Sequence, residues 1–276
     1  SKAHNCRGRC YGVAAFDSGS IIMRAIVRGI PSSYEKGLAK YFGTGPTDIE
    51  EARSQHKSYV AKLRELGVTV KEIEPHDSYP DCCFVEDHAV VAGDSALITN
   101  AGHDSRLGEK AAVQGALEGD LNLVLMESEA RMDGGDVLQF GKQFLVGNST
   151  RTNEAGIQCL KDFVEARGFT MHVIQVPSNS LHLISICTSP IPGVLLVPEG
   201  WFTQSDFPSD AEILWIPDKE AYAANVLPFG KDVMVAAGYP HTSRLLEERG
   251  LTLHSMEMSQ FRAADGSLTC LSVLYQ

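Results

Sequence analysis

Residues 84–99 read FVEDHAVVAGDSALIT: two short apolar runs of strand length joined by a Gly-Asp step, with an acid pair just ahead of the first run. A Gly-Asp step between apolar runs is a hairpin signal. Working outward, the same pairing recurs. GDVLQFG with QFLVG spans 135–147, LHLISICTS with GVLLVP spans 181–198, NVLPFG with DVMVAA spans 225–237, and SLTCLSVLY begins at 267. The starts fall about 40 to 50 residues apart, a spacing found in propeller-like arrays of one supersecondary unit.

Between the pairs the period changes to that of a helix. Thr47 and Glu50 form a capping box, Ile49, Ala52, Tyr59, Val60, Leu63 and Leu66 follow on one face, and Gly67 supplies a C′ stop. The segment 152–168 repeats this scheme with Ile157, Leu160, Phe163 and Val164. Weaker helices are expected at 105–118 and 241–249, each followed by a strand, LNLVLM and LTLHSMEM. In the fourth unit WFTQSDFPSD offers one helical turn before EILWIP. The strand SLTCLSVLY has no partner after it, and IIMRAIVRGI, from 21, has none before it. Pairing these two closes a ring of five ββαβ units and leaves no open edge. The expectation is a single α/β-propeller domain over 21–276, with 1–20 as a flexible extension.

Composition narrows the function. With 276 residues and 43% hydrophobic content the chain can bury a large core, and a formal charge of −11 gives no basic footprint for nucleic acid. A small cationic ligand fits that balance. No apolar run approaches the roughly 18 residues of a membrane span, and the N-terminal twenty residues carry no secretory signal, so a soluble, cytoplasmic protein is expected. Seven cysteines at irregular spacing argue against a secreted disulfide framework. His4, Cys6 and Cys10 invite a metal-site reading, set against a floppy extension.

If the first strand of each pair lines a central channel, its first residues share one end of that channel. There stand Glu86 and Asp87, Asp133 and Asp136, His182, Asn225 and Cys270. Carboxylates suit a guanidinium by bidentate, charge-assisted hydrogen bonds. A thiol with an imidazole suits covalent attack on an electrophilic carbon. Taken singly each has a plain alternative: His182 or Cys270 as packed core, the acids of MDGGDV as turn formers. Polar residues at the same place in successive units are what favour a site.

The segments PDCCFVEDHAVV, LITNAG followed by Ser105-Arg106, MDGGDVL, FLVGNSTRTN, LHLIS and DGSLTCLSVL, in this order, resemble the dimethylarginine dimethylaminohydrolase family of the pentein (guanidino-group modifying) superfamily, over about residues 21–276. The resemblance implies a five-fold pseudosymmetric α/β propeller that hydrolyses methylated arginine to citrulline and the released amine. It implies Cys270 as nucleophile, His182 as general acid and then base, and Asp87 and Asp133 as the acids gripping the guanidinium. Glu86 would support Asp87 or hold the inner nitrogen, Asp81 would receive the α-amino group, and Arg106 and Arg151 would clamp the α-carboxylate. Leu38 would ride on a mobile loop that closes over the site, with Phe84 and Asp265 also at the substrate. No metal or organic cofactor is needed, and Cys270 with His182 forms at most an inhibitory zinc site. A monomer or homodimer is expected.

Two residues depart from the family pattern: His88, where a small or apolar residue is usual, and Ile184, where relatives often carry Lys. Arginine deiminases and amidinotransferases tend to place an acid at the position held here by Ile184, and agmatine deiminases have no carboxylate for Arg106 and Arg151 to meet. A non-catalytic pentein that binds a partner would have no use for this set of polar residues.

Overall fold

A computed structural model describes residues 22–46 and 48–276. His4, Cys6, Cys10 and Thr47 lie outside the described residues. Each repeat folds as expected: an antiparallel hairpin whose second strand pairs in parallel with a third strand returning from the helix side. The first sheet joins β1 (Arg24–Arg28) to β2 (Thr69–Ile73) across α1 (Ile49–Glu65). In the second, β3 (Ala89–Ala92) and β4 (Ser95–Ile98) precede α2 (Lys110–Leu117) and β5 (Asn122–Leu125). The third comprises β6 (Val137–Phe140), β7 (Gln143–Asn148), α3 (Glu154–Glu165) and β8 (Thr170–Gln175). The fourth has β9 (Thr188–Ile191), β10 (Val194–Pro198) and β11 (Glu212–Ile216), joined only by a short turn at Gln204–Asp206. The fifth has β12 (Leu227–Phe229), β13 (Asp232–Ala236), α4 (Pro240–Glu248) and β14 (Thr252–Met256). A short helix that the periodicity does not signal, α5 (Ser259–Ala263), leads to the final strand β15 (Val273–Tyr275).

The ring closes as the unpartnered terminal strands require. β15 pairs antiparallel with β1, with Arg24 opposite Tyr275 and Ile26 opposite Val273, so the last strand completes the first sheet. The five inner strands β3, β6, β9, β12 and β15 line a central cavity of about 160 Å³.

Helix ends differ from expectation by a residue or two. Asp48 caps α1, accepting the Glu51 N–H at 2.9 Å, while Glu50 turns outward to Arg53. α3 starts later than 152, because Asn153 is the cap and accepts the Gly156 N–H at 2.8 Å. The 105–118 segment breaks into a 3₁₀ turn, Asp104–Arg106, and α2. The apolar faces are as read: Ala52, Tyr59, Val60 and Leu63 of α1 and Leu160, Phe163 and Val164 of α3 are buried, with Ile49, Leu66 and Ile157 partly so. Truncating a fully buried leucine such as Leu63 or Leu160 to Ala costs about 2–5 kcal/mol.

The larger correction concerns where the polar residues sit. They do not begin the inner strands; they form turns just ahead of them. Val85–His88, Gly134–Asp136, Asp218–Ala224 and Thr269–Leu271 are 3₁₀ turns, and 181–187 is irregular turn rather than strand. The reason is geometric: on a strand, neighbours such as Glu86 and Asp87 point to opposite faces. In the turn, Glu86 reaches the central cavity while Asp87 reaches a second cavity at the ring's mouth.

Candidate active site

The five turns are bonded one to the next around the mouth. Gly135 N–H donates to Asp87 Oδ1 at 3.0 Å, Leu183 N–H to Asp136 Oδ1 at 3.1 Å, and Asn225 Nδ2 to the Ile184 carbonyl at 2.7 Å. Thr269 N–H donates to Asn225 Oδ1 at 3.1 Å, and Thr269 Oγ1 to Glu86 Oε2 at 2.9 Å, which closes the circle. The Gly-Gly of MDGGDV is what lets the turns meet this closely. A Cβ on Gly134 would stand 2.0 Å from the Glu86 carbonyl oxygen, and one on Gly135 2.6 Å from His182 Nδ1.

Within this frame a small cavity of about 20 Å³ is lined by Leu38, Asp81, Phe84, Asp87, Arg106, Arg151, Leu181, His182, Ala264, Asp265, Gly266 and Cys270. Asp133 stands behind His182: its Oδ2 lies 2.9 Å from His182 Nε2 and 3.2 Å from Arg151 Nη1, and its Oδ1 accepts the Gly102 N–H at 2.8 Å. Burial alone would raise the Asp133 carboxyl and lower the His182 imidazole. The partners outweigh burial in both cases. His182, Arg106 and Arg151 hold Asp133 well below the usual carboxylate range, and Asp87, Asp133 and Asp136 push His182 up to about 9. His182 is therefore a protonated donor near neutrality.

Cys270 is 7% exposed. Burial first, then the charges of Glu86 and Asp87, push its thiol well above the ordinary value, while the Ser267 N–H bonded to the sulfur partly opposes this. Glu86 is hydrogen-bonded to Thr269 and Cys270, and burial, then the charge of Asp87, push its carboxyl up to about 8 against the opposing pull of these bonds and of His182. Ile184, also lining the central cavity, supplies only a side of hydrocarbon there. At rest the thiol is protonated, and a cation bound in the cavity would favour the thiolate.

Both arginines expected at the α-carboxylate line the cavity, but each already holds an acid. Arg106 Nη1 donates to Asp87 Oδ2 at 2.6 Å, its Nε and Nη2 to Glu109 Oε2 at 3.1 and 2.8 Å, and Nη2 also to the Asp81 and Phe84 carbonyls. Arg151, more open, reaches Asp133. Asp81 accepts the Leu38 N–H at 3.0 Å, and burial raises its carboxyl. The Phe84 ring packs against Tyr34 and Phe261. The Asp265 carboxylate, expected at the substrate, accepts the N–H groups of Lys40, Tyr41, Phe42 and Gly43. Among the described residues Asp265 is the one non-glycine with positive φ, +59°, a conformation that costs about 1–2 kcal/mol.

Of metal-ligating groups among the described residues, Asp87, Asp133 and His182 bring ligand atoms within 4.8 Å of one another, and Cys270 is not in that set. Of these acids, Asp87 is ion-paired with Arg106 and Asp133 with Arg151. The five described cysteines, Cys82, Cys83, Cys159, Cys187 and Cys270, are all free.

Three residues escape a reading by type alone. Asp136 accepts Ser149 Oγ, Thr152 Oγ1 and the Leu183 N–H, fixing the turn that carries His182. Glu109 bridges Arg106 and His88, whose Nε2 lies 2.7 Å from it, so the unusual His88 is spent behind the site. Asn225 holds the segment leading to Cys270. Position in the repeat was the one available signal, and it reached Asp136 and Asn225 but not Glu109.

A closed ring of five hairpin-and-crossover units around a thiol, an imidazole and paired acids is the architecture of the pentein superfamily. A family profile described as N,N dimethylarginine dimethylhydrolase, eukaryotic, matches residues 44–188. A Streptomyces coelicolor N(G),N(G)-dimethylarginine dimethylaminohydrolase is 35% identical over 255 residues, 91% of this chain and 96% of that one. The Pseudomonas aeruginosa dimethylarginine dimethylaminohydrolase, solved as a cysteine-to-serine mutant with citrulline, superposes with a TM-score of 0.87 at 27% identity, covering 92% of this chain and 100% of that one. A histidine-to-glycine mutant of a dimethylarginine dimethylaminohydrolase, solved as an adduct with S-methyl-L-thiocitrulline, matches with the same TM-score of 0.87, identity of 27% and coverage of 92% and 100%. The chain belongs to the dimethylarginine dimethylaminohydrolase family. No helix among the described residues is long and apolar enough to cross a membrane.

Proposed function

We propose that the protein hydrolyses Nω-methylated L-arginine, asymmetric dimethylarginine or monomethylarginine, to L-citrulline and dimethylamine or methylamine, with Cys270 as the nucleophile. The observation that carries this reading is that Cys270, His182 and Asp87 line one buried cavity, with Asp133 bonded to His182 from behind. Its chemical support is the pairing of a resting thiol with an imidazole held protonated. The adduct and citrulline complexes of relatives are consistent with the same chemistry. Residues 21–276 read as one catalytic domain, since the last strand completes the first sheet.

The guanidinium is resonance-stabilised and a poor electrophile, so it must be held in plane with a thiolate about 3–3.5 Å from its central carbon. Asp87, which lines the cavity, carries the negative charge that grips it; Asp133, expected to share that grip, lies behind His182 and holds the imidazole instead, and Glu86 bonds to the thiol and to Thr269. Binding the cation lowers the Cys270 pKa, so the thiol releases its proton to solvent and the thiolate adds to the central carbon. The C–N bond to the methylated nitrogen then breaks as His182 gives that nitrogen its proton. The product is an S-alkylthiouronium on Cys270. Water next loses a proton to His182 and adds to the same carbon, and the C–S bond breaks to return the thiolate and release citrulline. Asp81 would receive the α-amino group and Arg151 the α-carboxylate.

The test is a substrate panel of arginine, monomethylarginine, asymmetric dimethylarginine and agmatine, read as ureido product, with wild type and Cys270→Ser. Citrulline from the methylated substrates with wild type alone is expected. An active Cys270→Ser variant would show that the chemistry belongs elsewhere.

A further inference from the structure

The cavity at Cys270 is too small for any amino acid. At about 20 Å³ it has room for one or two waters. Something must therefore move before a substrate can enter, and the wall contributed by Leu38 belongs to a segment, 37–45, without helix or strand of its own. That segment is held at both ends. Asp81 takes the Leu38 N–H at 3.0 Å, and Gly45 N–H donates to the Ala263 carbonyl at 2.8 Å. Between them, four consecutive N–H groups, from Lys40 to Gly43, converge on the single carboxylate of Asp265. Phe42 seats its ring in the same place, stacked on Trp201 with centroids 6.3 Å apart and edge-on to Tyr222 at 5.4 Å.

We propose that Asp265 is a positioning residue: its carboxylate latches residues 40–43 shut over the cavity, and release of that latch is the motion that admits substrate. The proposal rests on the cavity at Cys270 being the substrate site. Charge is what makes the latch specific, since four N–H donors aimed at one acceptor leave no place for a group that itself donates. The left-handed backbone at Asp265 aims the carboxylate back at the loop while the adjoining Ala264 and Gly266 line the cavity. Closing the loop and shaping the wall beside Cys270 are thus one event. Binding has a second lever in Asp81: an incoming ammonium group would compete with the Leu38 N–H for that carboxylate, loosening the other end of the same loop.

Asp265→Asn keeps the volume but puts an NH₂ where N–H groups converge. Two readings need no turnover, and so stand apart from the assignment of the reaction. One is alkylation of Cys270 by iodoacetamide, followed by peptide mass spectrometry with the half-buried Cys159 of α3 as internal reference. The other is the emission of Trp201, on which Phe42 sits. Expected are alkylation of Cys270 at least tenfold faster relative to Cys159, a change in Trp201 emission, and a KM raised more than kcat is lowered. Lys40→Pro removes one donor at an exposed position while leaving Asp265 unaltered, and should shift both readings the same way by a smaller factor. It also serves if Asp265→Asn does not fold. Unchanged alkylation and emission in a folded variant of either kind would overturn the latch.

Discussion

Replacing Asp133 by Asn is the perturbation that bears most on the proposed proton transfer. His182 stands at about 9 against an ordinary 6.5, which corresponds to about 3 kcal/mol in favour of the imidazolium. Three acids produce that rise, but Asp133 alone is in hydrogen-bond contact, at 2.9 Å. Removing its charge should lower the His182 midpoint by at least about one pH unit, or about 1.4 kcal/mol. The new amide would also present an N–H to the imidazole N–H, so kcat should fall by about 10²–10⁴-fold, the usual worth of a positioned acid. The sign of the linked stability follows. A folded value above the unfolded one stabilises fully below about 6.5, and that contribution disappears as pH rises through about 9. The Asp133 carboxyl, held low when folded, adds stability above about 3.9 that is lost in acid. The gap in unfolding free energy between wild type and Asp133→Asn should therefore be widest between about pH 4 and 6.5 and narrow toward 9. Nitrogen NMR titration of the His182 ring, with urea denaturation at three pH values, measures both quantities. An unmoved His182 midpoint, or a gap that widens above pH 7, would refute the reasoning.

Arg106→Gln should cost about 3–5 kcal/mol by chemical denaturation, because Asp87 and Glu109 would be left as buried charges without their cation. A loss under 1 kcal/mol would mean these acids are neutral in the folded protein. Arg151→Ala should raise KM for methylated arginine far more than for agmatine, and equal effects would show that Arg151 does not meet the carboxylate. His88→Val should cost about 1–3 kcal/mol through the lost hydrogen bond to the buried Glu109, which keeps Arg106 as its partner, with kcat within a few fold of wild type. A large fall in kcat without loss of stability would instead put His88 in the catalytic step.

Ring closure was legible because hydrophobic periodicity is local and two terminal strands lacked partners; the Arg24–Tyr275 pairing is the outcome. The helix faces were legible for the same reason. What failed to show was anything set by through-space pairing. The 3₁₀ turns at Val85–His88 and Thr269–Leu271 look like strand beginnings, since a one-turn segment has no period of its own, and only packing of five turns around one axis reveals it. Arg106 reads as a ligand-binding residue until Glu109, one turn on, and Asp87 are seen to engage it. Asp265 reads as part of the approach to Cys270, and its partners at 40–43 lie more than 200 residues earlier. Asn153 displaced Thr152 as a cap through side-chain geometry that both residue types permit.

The central claim is that the sulfur of Cys270 becomes covalently bonded to the substrate's guanidinium carbon. Mixing enzyme with asymmetric dimethylarginine, quenching in acid during steady turnover and sequencing the peptides by mass spectrometry tests it directly. The account predicts an S-alkylthiouronium on the peptide carrying Cys270 and on no other cysteine peptide. Citrulline formation with the adduct on Cys82 or Cys83, or turnover that persists when Cys270 is replaced by Ser, would contradict it.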